Sequence, residues 1–209
     1  MRKIIAVMAA VPMFALVAAA TDVPKMETFL GYNYVRFNPN SDVFPSFNAN
    51  GGGGQFVYNF NKWIGAAVDV GAVTRGSFDN FNVDATVINF VAGPRITYHN
   101  HSRFTPFGQV LFGGAYSTAS AEVTLLGGAI VPPGTFLPPP VTARVNASNT
   151  GFAMMAGGGL DIRVSKHIAL RPIGADYYLT RIPSLLTGDT SNRNNFRYSA
   201  GINFLIGAR

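Results

Sequence analysis

Hydrophobic residues alternate with small or polar ones along most of this chain, with a period of two and not the 3.6 of a helix. From Gln55 to Phe60, Phe56, Tyr58 and Phe60 share one face and Gln55, Val57 and Asn59 the other. Near the end, Phe196, Tyr198, Ile202, Phe204 and Ile206 oppose Arg197, Ser199, Gly201 and Asn203. Ile64, Ala66, Val68 and Val70 oppose Gly65, Ala67, Asp69 and Gly71. Ile88, Phe90, Ala92, Ile96 and Tyr98 oppose Asn89, Gly93, Arg95 and Thr97. Phe152, Met154, Ala156, Leu160 and Ile162 oppose Gly157, Gly159, Asp161 and Arg163. The pattern predicts eight strands: Met26–Phe37, Gly52–Phe60, Trp63–Thr74, Asp84–Tyr98, Thr105–Tyr116, Gly151–Val164, Ile168–Thr180 and Asn195–Ile206. Each is near the length that a tilted strand needs to cross a bilayer.

The links between these strands alternate in length. Asn61-Lys62, His99 to Arg103 and Ser165 to His167 are short; Asn38 to Asn50, Arg75 to Val83, Ser117 to Thr150 and Arg181 to Asn194 are long. Such sorting puts both termini on the short-turn side, as in a transmembrane barrel with short periplasmic turns and longer outside loops. The link from 117 to 150 is the longest. Its prolines, Pro132-Pro133-Gly134 and Pro138-Pro139-Pro140, disfavour ladder pairing. Its apolar residues Leu125, Leu126, Ile130, Val131 and Leu137 allow either folding over the barrel mouth or a mobile loop.

Composition supports a lipid-facing wall. Of 209 residues only 12% are charged, about half the usual share, while 12% are aromatic and 23 are glycine. Clustered glycines, as in Gly51 to Gly54, Gly113-Gly114 and Gly157 to Gly159, allow the bends by which a small barrel closes. They lack the Gly-Lys-Ser/Thr ending of a phosphate-binding loop. Tyr32, Tyr34, Tyr58, Trp63, Tyr98 and Tyr116 fall towards strand ends, as interfacial girdles do. Phe56, Tyr58, Phe60, Ile88, Phe90, Ile202 and Phe204 are expected to face lipid.

With apolar faces outward, the inward positions are expected to be small or polar: Gly31, Asn33, Gln55, Asn59, Asp69, Asn89, Arg95, Gln109, Asp161, Arg163, Asp176, Arg197, Ser199 and Asn203. A barrel of about eight strands is filled by its own side chains. Asp69, Asp161 and Asp176 are therefore expected to pair with Arg95, Arg163 and Arg197, because buried charges without partners are costly.

The first twenty residues have the parts of a signal peptide. Arg2 and Lys3 precede an uncharged apolar stretch from Ile4 to Ala20, and Ala18-Ala19-Ala20 places cleavage after Ala20. Residues 21–209 then form one barrel domain. The 16 basic residues less Arg2 and Lys3 leave 14 against 10 acidic, a mild +4. No Lys/Arg run gives a nucleic-acid footprint. With no Cys, disulfides, zinc thiolate sites and Cys catalysis are excluded.

The last strand carries a resemblance. Ser199-Ala200-Gly201-Ile202-Asn203-Phe204-Leu205-Ile206 resembles the C-terminal β-signal of outer-membrane proteins, through Ser199, Gly201, Phe204 and Ile206. The chain departs from that signal by continuing through Gly207-Ala208-Arg209. The stretches Phe29-Leu30-Gly31-Tyr32, Asn61-Lys62-Trp63-Ile64-Gly65, Gly93-Pro94-Arg95, Thr105 to Gly113, Gly159 to Arg163, and Arg171-Pro172 with Asp176-Tyr177-Tyr178 resemble, in their order, the eight-stranded outer-membrane β-barrel domain of the OmpA/OmpX-like superfamily, in its acidobacterial-type members. The resemblance implies an all-β, antiparallel up-and-down barrel in the outer membrane, both termini periplasmic, inserted by the barrel-assembly machinery and in contact with lipid and lipopolysaccharide. The peptidoglycan-binding domain of full OmpA-type proteins has no counterpart here.

No constellation for catalysis stands out. His99, His101 and His167 all fall in the short turns and are read as solvated, with no third ligand to make a metal site. No cofactor and no enzyme activity are expected. The leading function is a structural module that displays its loops for adhesion, lipopolysaccharide or an unknown surface partner, with Arg75, Arg144, Arg181 and Arg193 available to lipid phosphates. The alternatives are a narrow, porin-like solute pore and, third, a soluble lipocalin-like barrel. A lipocalin requires an apolar interior and a polar exterior, the reverse of this pattern.

Overall fold

The computed structural model describes residues 23–38, 46–76, 83–99, 102–125, 141–182 and 192–207. Eight strands run in chain order: β1 (Met26–Phe37), β2 (Phe47–Asn59), β3 (Ile64–Arg75), β4 (Val83–Thr97), β5 (Phe104–Leu125), β6 (Val141–Arg163), β7 (Ile168–Arg181) and β8 (Arg193–Ile206). Each pairs antiparallel with the next, and β8 closes on β1. Among the described residues no helix is long and apolar enough to cross a membrane; strands form the wall. The proposed signal segment lies outside the described residues.

Alternation explains which side of the wall each residue takes. Leu30, Tyr32, Phe56, Phe60, Val68, Val70, Ile88, Phe90, Phe112, Ile202 and Phe204 are exposed on the outer face. A large apolar area without protein cover is what a lipid-facing band presents. Tyr58 is half-buried because it packs edge-on against Phe60, ring centroids 5.4 Å apart. At the short-turn end Trp63 and Tyr98 lie 5.0 Å apart, with Lys62 Nζ 5.7 Å from the indole and Lys25 Nζ 6.0 Å from Tyr58. This is the aromatic and cationic trim expected where a barrel meets headgroups.

Two departures from simple alternation matter. Ladders on both sides of β7 shift register around Pro172-Ile173, where Leu160 pairs with Ile173 but Ile162 with Leu170, and Arg171 with Gly201 but Gly174 with Ser199. The extra residue is a bulge, and Pro172, which has no N–H for a ladder, sits in it. Ala169 and Arg171 point inward before it, and Gly174, Asp176 and Tyr178 after it.

The second departure corrects the expected long link from 117 to 150. β5 and β6 continue as a hairpin, from Ser117 paired with Asn149 to Leu125 paired with Val141. β4 accompanies β5 as far as Ala121, whereas β6 meets β7 only from Phe152 onwards. Among the described residues, the ladder pairing of Val141–Gly151 is with β5. At about 3.4 Å per residue this ribbon extends the hairpin by roughly 30 Å. The prolines and the apolar residues Leu126, Ile130, Val131 and Leu137 lie outside the described residues.

Candidate functional site

The barrel interior holds the chemistry-bearing side chains, in two connected groups, the first towards the short turns and the second at mid-barrel. In the first, Asp161 accepts from Arg171 through Nε at 2.7 Å and Nη2 at 3.1 Å, and from Arg95 Nη2 at 3.1 Å. Arg95 also reaches Glu27 at 3.4 Å. In the second, Arg197 spans two carboxylates. Its Nη1 and Nη2 donate to Asp69 at 2.7 and 3.0 Å, and its Nε and Nη2 to Asp176 at 3.1 and 2.9 Å. All seven side chains are buried.

Gln55 joins the groups. Its amide oxygen accepts from Arg95 Nη1 at 2.8 Å and Arg171 Nη1 at 3.2 Å; its Nε2 donates to Gln109 at 2.9 Å and Asp69 at 3.4 Å. Gln109 Nε2 passes the chain on to Asp176 at 3.0 Å. A neutral amide with two donor hydrogens and two lone pairs is thereby fully used. Asn89 adds a donor to Asp69, and Asn203 donates to both Glu27 and Asp161. Full pairing is the condition under which a buried charged network is tolerable.

Aromatic rings hold the guanidiniums flat. Arg95 lies 3.8 Å above the Phe107 ring, and Arg171 is 4.3 Å from Phe107 and 4.1 Å from Phe29. Weakly hydrated, planar Arg suits such stacking. Space for the rings comes from glycine: a Cβ at Gly31 would strike the Phe29 ring, and one at Gly159 the Phe107 ring.

Of the six residues expected in the ion-pair network, Asp69, Arg95, Asp161, Asp176 and Arg197 meet in the interior. Arg163 does not join them: among the described residues it makes no ion pair, and its Nε is buried without a hydrogen-bond partner. Arg171 takes its place, because the Pro172-Ile173 bulge turns this residue inward, which plain alternation back from Asp176 conceals. Glu27 was also absent from the expectation, although it shares parity with Gly31 and Asn33 on β1. The remaining inward positions lie as read, with Asn33, Asn59, Asn89, Ser199 and Asn203 buried.

The expectation of a small or polar interior fails in the other half. Towards the long-link ends of the strands, Val35, Phe37, Val73, Leu111, Met155, Tyr178 and Ile182 form one apolar cluster. Phe37 stacks on Phe47 at 5.1 Å and meets Tyr178 edge-on at 6.3 Å. Asn195 crosses this end, accepting from the Asn38 backbone N–H and donating to Thr180.

His99 also departs from the solvated turn residue expected. Its side chain is 4% exposed, with Nδ1 3.0 Å from the Lys62 carbonyl and Nε2 3.5 Å from a Glu27 oxygen. His167 is exposed, and His101 lies outside the described residues. Among the described residues no three His, Asp or Glu side chains are grouped as a metal would require.

The outer-end arginines differ from one another. Arg75 donates to the Asn48 carbonyl and lies 5.9 Å from the Phe47 ring. Arg181 is exposed and Arg193 half-buried. On β8, Phe204 and Ile206 face outward, Ser199 is buried and Gly201 half-buried.

Known structures share this architecture. The attachment invasion locus protein Ail of Yersinia pestis superposes with a TM-score of 0.56 at 17% identity, over 87% of this chain and 98% of that one. Neisserial surface protein A gives 0.55 at 14% identity, over 87% and 97%. Ail in complex with the heparin analogue sucrose octasulfate gives 0.51 at 16% identity, over 87% and 99%. At these identities the likeness shows the fold. Among curated proteins none matches the chain in sequence. The model of the outer membrane protein β-barrel domain matches residues 4–204, nearly the whole chain, and this protein is a member of that family of outer-membrane barrels.

Proposed function

We propose that this protein is a structural, surface-display module of the outer membrane and not an enzyme or a pore. The observation that carries the reading is the filled interior: an ion-paired network in one half and an apolar cluster in the other, beneath a hairpin that extends beyond the wall. A lumen occupied by its own side chains has no path for solute. The hairpin carries the β5–β6 ladder past the part of the wall that β7 accompanies, which sets it out as a display element.

In this reading residues 1–20 are removed after Ala20, and 21–209 form the barrel. Both termini are periplasmic, so the ribbon of β5 and β6 and the Arg-bearing strand ends face outward. Ser199, Gly201, Phe204 and Ile206 serve as the β-signal for the barrel-assembly machinery. The ligands are an unknown surface partner, an adhesion target or lipopolysaccharide. One similar structure is that of Ail in complex with a heparin analogue, which is in keeping with an anionic saccharide. The lumen network of Asp69, Arg95, Asp161, Asp176 and Arg197, with Glu27 and Arg171, acts as a lock for the wall.

The test compares cells exporting the native chain with cells exporting a variant in which residues 117–149 are replaced by a short turn. Both barrels are expected to show heat-modifiable mobility after detergent extraction, while binding to lipopolysaccharide-coated or matrix-coated surfaces falls only in the variant. Equal binding by the two overturns the ribbon as the contact element. In planar bilayers no steady channel steps are expected, and their appearance would establish the pore instead.

A further inference from the structure

The strand ends on the short-turn side carry exposed charge of one sign. Lys25 leads into β1, Lys62 lies in the turn between β2 and β3, Arg103 in that between β4 and β5, and Lys166 in that between β6 and β7. All four are exposed, and in the closed strand order they stand two strands apart around the rim. His167 is exposed there too, and Arg163 is half-buried. Among the described residues the acids at this end are Glu27 and Asp161, and both are buried in the interior network. The opposite end mixes its signs, with Glu122 paired in the ladder to Arg144 and Asp84 lying on β4 opposite Ser120.

Each cation adjoins exposed apolar wall. Phe60, Ile64, Ile96, Phe104, Val164 and Ile168 are exposed at or next to the same strand ends. Lys62 Nζ lies 5.7 Å from the Trp63 ring and Lys25 Nζ 6.0 Å from that of Tyr58. A lysine beside a ring rests its stem on apolar surface and keeps its ammonium at the polar boundary. Apolar wall bordered by a positive rim is the complement of a lipid with a negative headgroup.

We propose that the short-turn rim is a collar for anionic glycerophospholipids. Their headgroups meet Lys25, Lys62, Arg103 and Lys166 while their chains lie on the wall beside them. Charge selects this occupant: a zwitterionic headgroup brings its own cation, which offsets the attraction of its phosphate, whereas a net negative one does not. Continuity with the apolar wall selects a lipid over a free phosphate. The collar lies at the other end of the barrel from the β5–β6 ribbon, so it goes beyond surface display and is independent of what the ribbon binds. It requires the barrel to span a bilayer and does not depend on which side holds the termini.

Trp63, the single tryptophan, stands in the collar and reports on it. The experiment places the whole barrel in vesicles of equal phosphatidylcholine and phosphatidylglycerol, with bromine on the chains of one lipid or the other as a contact quencher. At low salt, brominated phosphatidylglycerol is expected to quench Trp63 as though enriched about fivefold, the scale of one cation at a charged surface. The enrichment is expected to fade towards parity at about 1 M salt, where the screening length falls to about 3 Å. The double variant Lys25→Gln/Lys62→Gln is expected to abolish it. Arg36→Gln, exposed at the far end of β1, is expected to leave it unchanged. Equal quenching by the two lipids in the native barrel, enrichment indifferent to salt, or enrichment retained in the double variant overturns the collar. Exchanging chloride for inorganic phosphate at equal ionic strength is expected to change nothing; loss of the enrichment would assign the rim to free phosphate and overturn the lipid.

Discussion

The two halves of the barrel interior solve one problem by opposite means. From the short turns to mid-barrel, seven charged side chains pair with one another, bridged by Gln55 and Gln109. Towards the long links, Val35, Phe37, Leu111, Met155 and Tyr178 exclude water by packing. Both halves fill the lumen, yet they fail differently. A charged half is brittle, because removing one partner strands another in a medium that solvates it poorly. An apolar half loses only contact and gains a cavity.

The largest effect that separates the halves is expected for Arg197→Met. It leaves Asp69 and Asp176 buried without their shared guanidinium, at a cost of about 3–5 kcal/mol. Urea unfolding in vesicles, followed by the fluorescence of Trp63, the single tryptophan, measures it. A loss below about 1 kcal/mol would mean that the network is solvated and not locked.

Met155→Ala is the matching change in the apolar half. Truncating a fully buried methionine costs about 2–4 kcal/mol, and the same unfolding experiment is expected to place it below Arg197→Met. Tyr178→Phe is expected to go the other way. Its hydroxyl is buried and has no hydrogen-bond partner, so deletion stabilises by up to about 1 kcal/mol. A destabilised Tyr178→Phe would reveal a bound water on that hydroxyl.

Arg163→Gln is the smallest. Because Arg163 stands outside the ion-paired network, the change is expected to lie within about 0.5 kcal/mol of the native barrel. A loss as large as that of Arg197→Met would return it to the network. Conductance sharpens the contrast further: opening one half alone leaves the other as a plug. Arg197→Met is therefore expected to stay silent in bilayers, and steady currents from it would show that the apolar cluster does not seal.

Much of this was legible in the chain because lipid and interior impose opposite chemistries on alternate residues. Phe56, Phe90 and Ile202 could face only outward, and Asp69 and Arg197 only inward. Arg171 was illegible because reading its side requires knowing that Pro172-Ile173 carries one extra residue, which only pairing with both neighbours reveals. Glu27 was readable by parity with Asn33. The apolar cap was not, since Val35 and Phe37 look as suited to lipid as to a core. The strand from Ser117 to Leu125 hid for another reason: Ser117, Thr118, Ala119, Ser120 and Ala121 carry no apolar alternation, while the ladder continues. His99 sat in a short turn of the sequence, and nothing local announced that Glu27 lay across the mouth.

The bulge at Pro172-Ile173 gives β7 two reading frames in one strand. Residues before it are addressed to the interior by odd numbers, and those after it by even numbers. A one-residue deletion there would restore a regular ladder and look harmless by length alone. It would also force a choice. Either Arg171 turns into lipid, at about 2–4 kcal/mol near the midplane, or Asp176 and Tyr178 do. Along this strand, insertion or deletion is therefore expected to cost more than most substitutions, because the bulge sets which side each later residue takes.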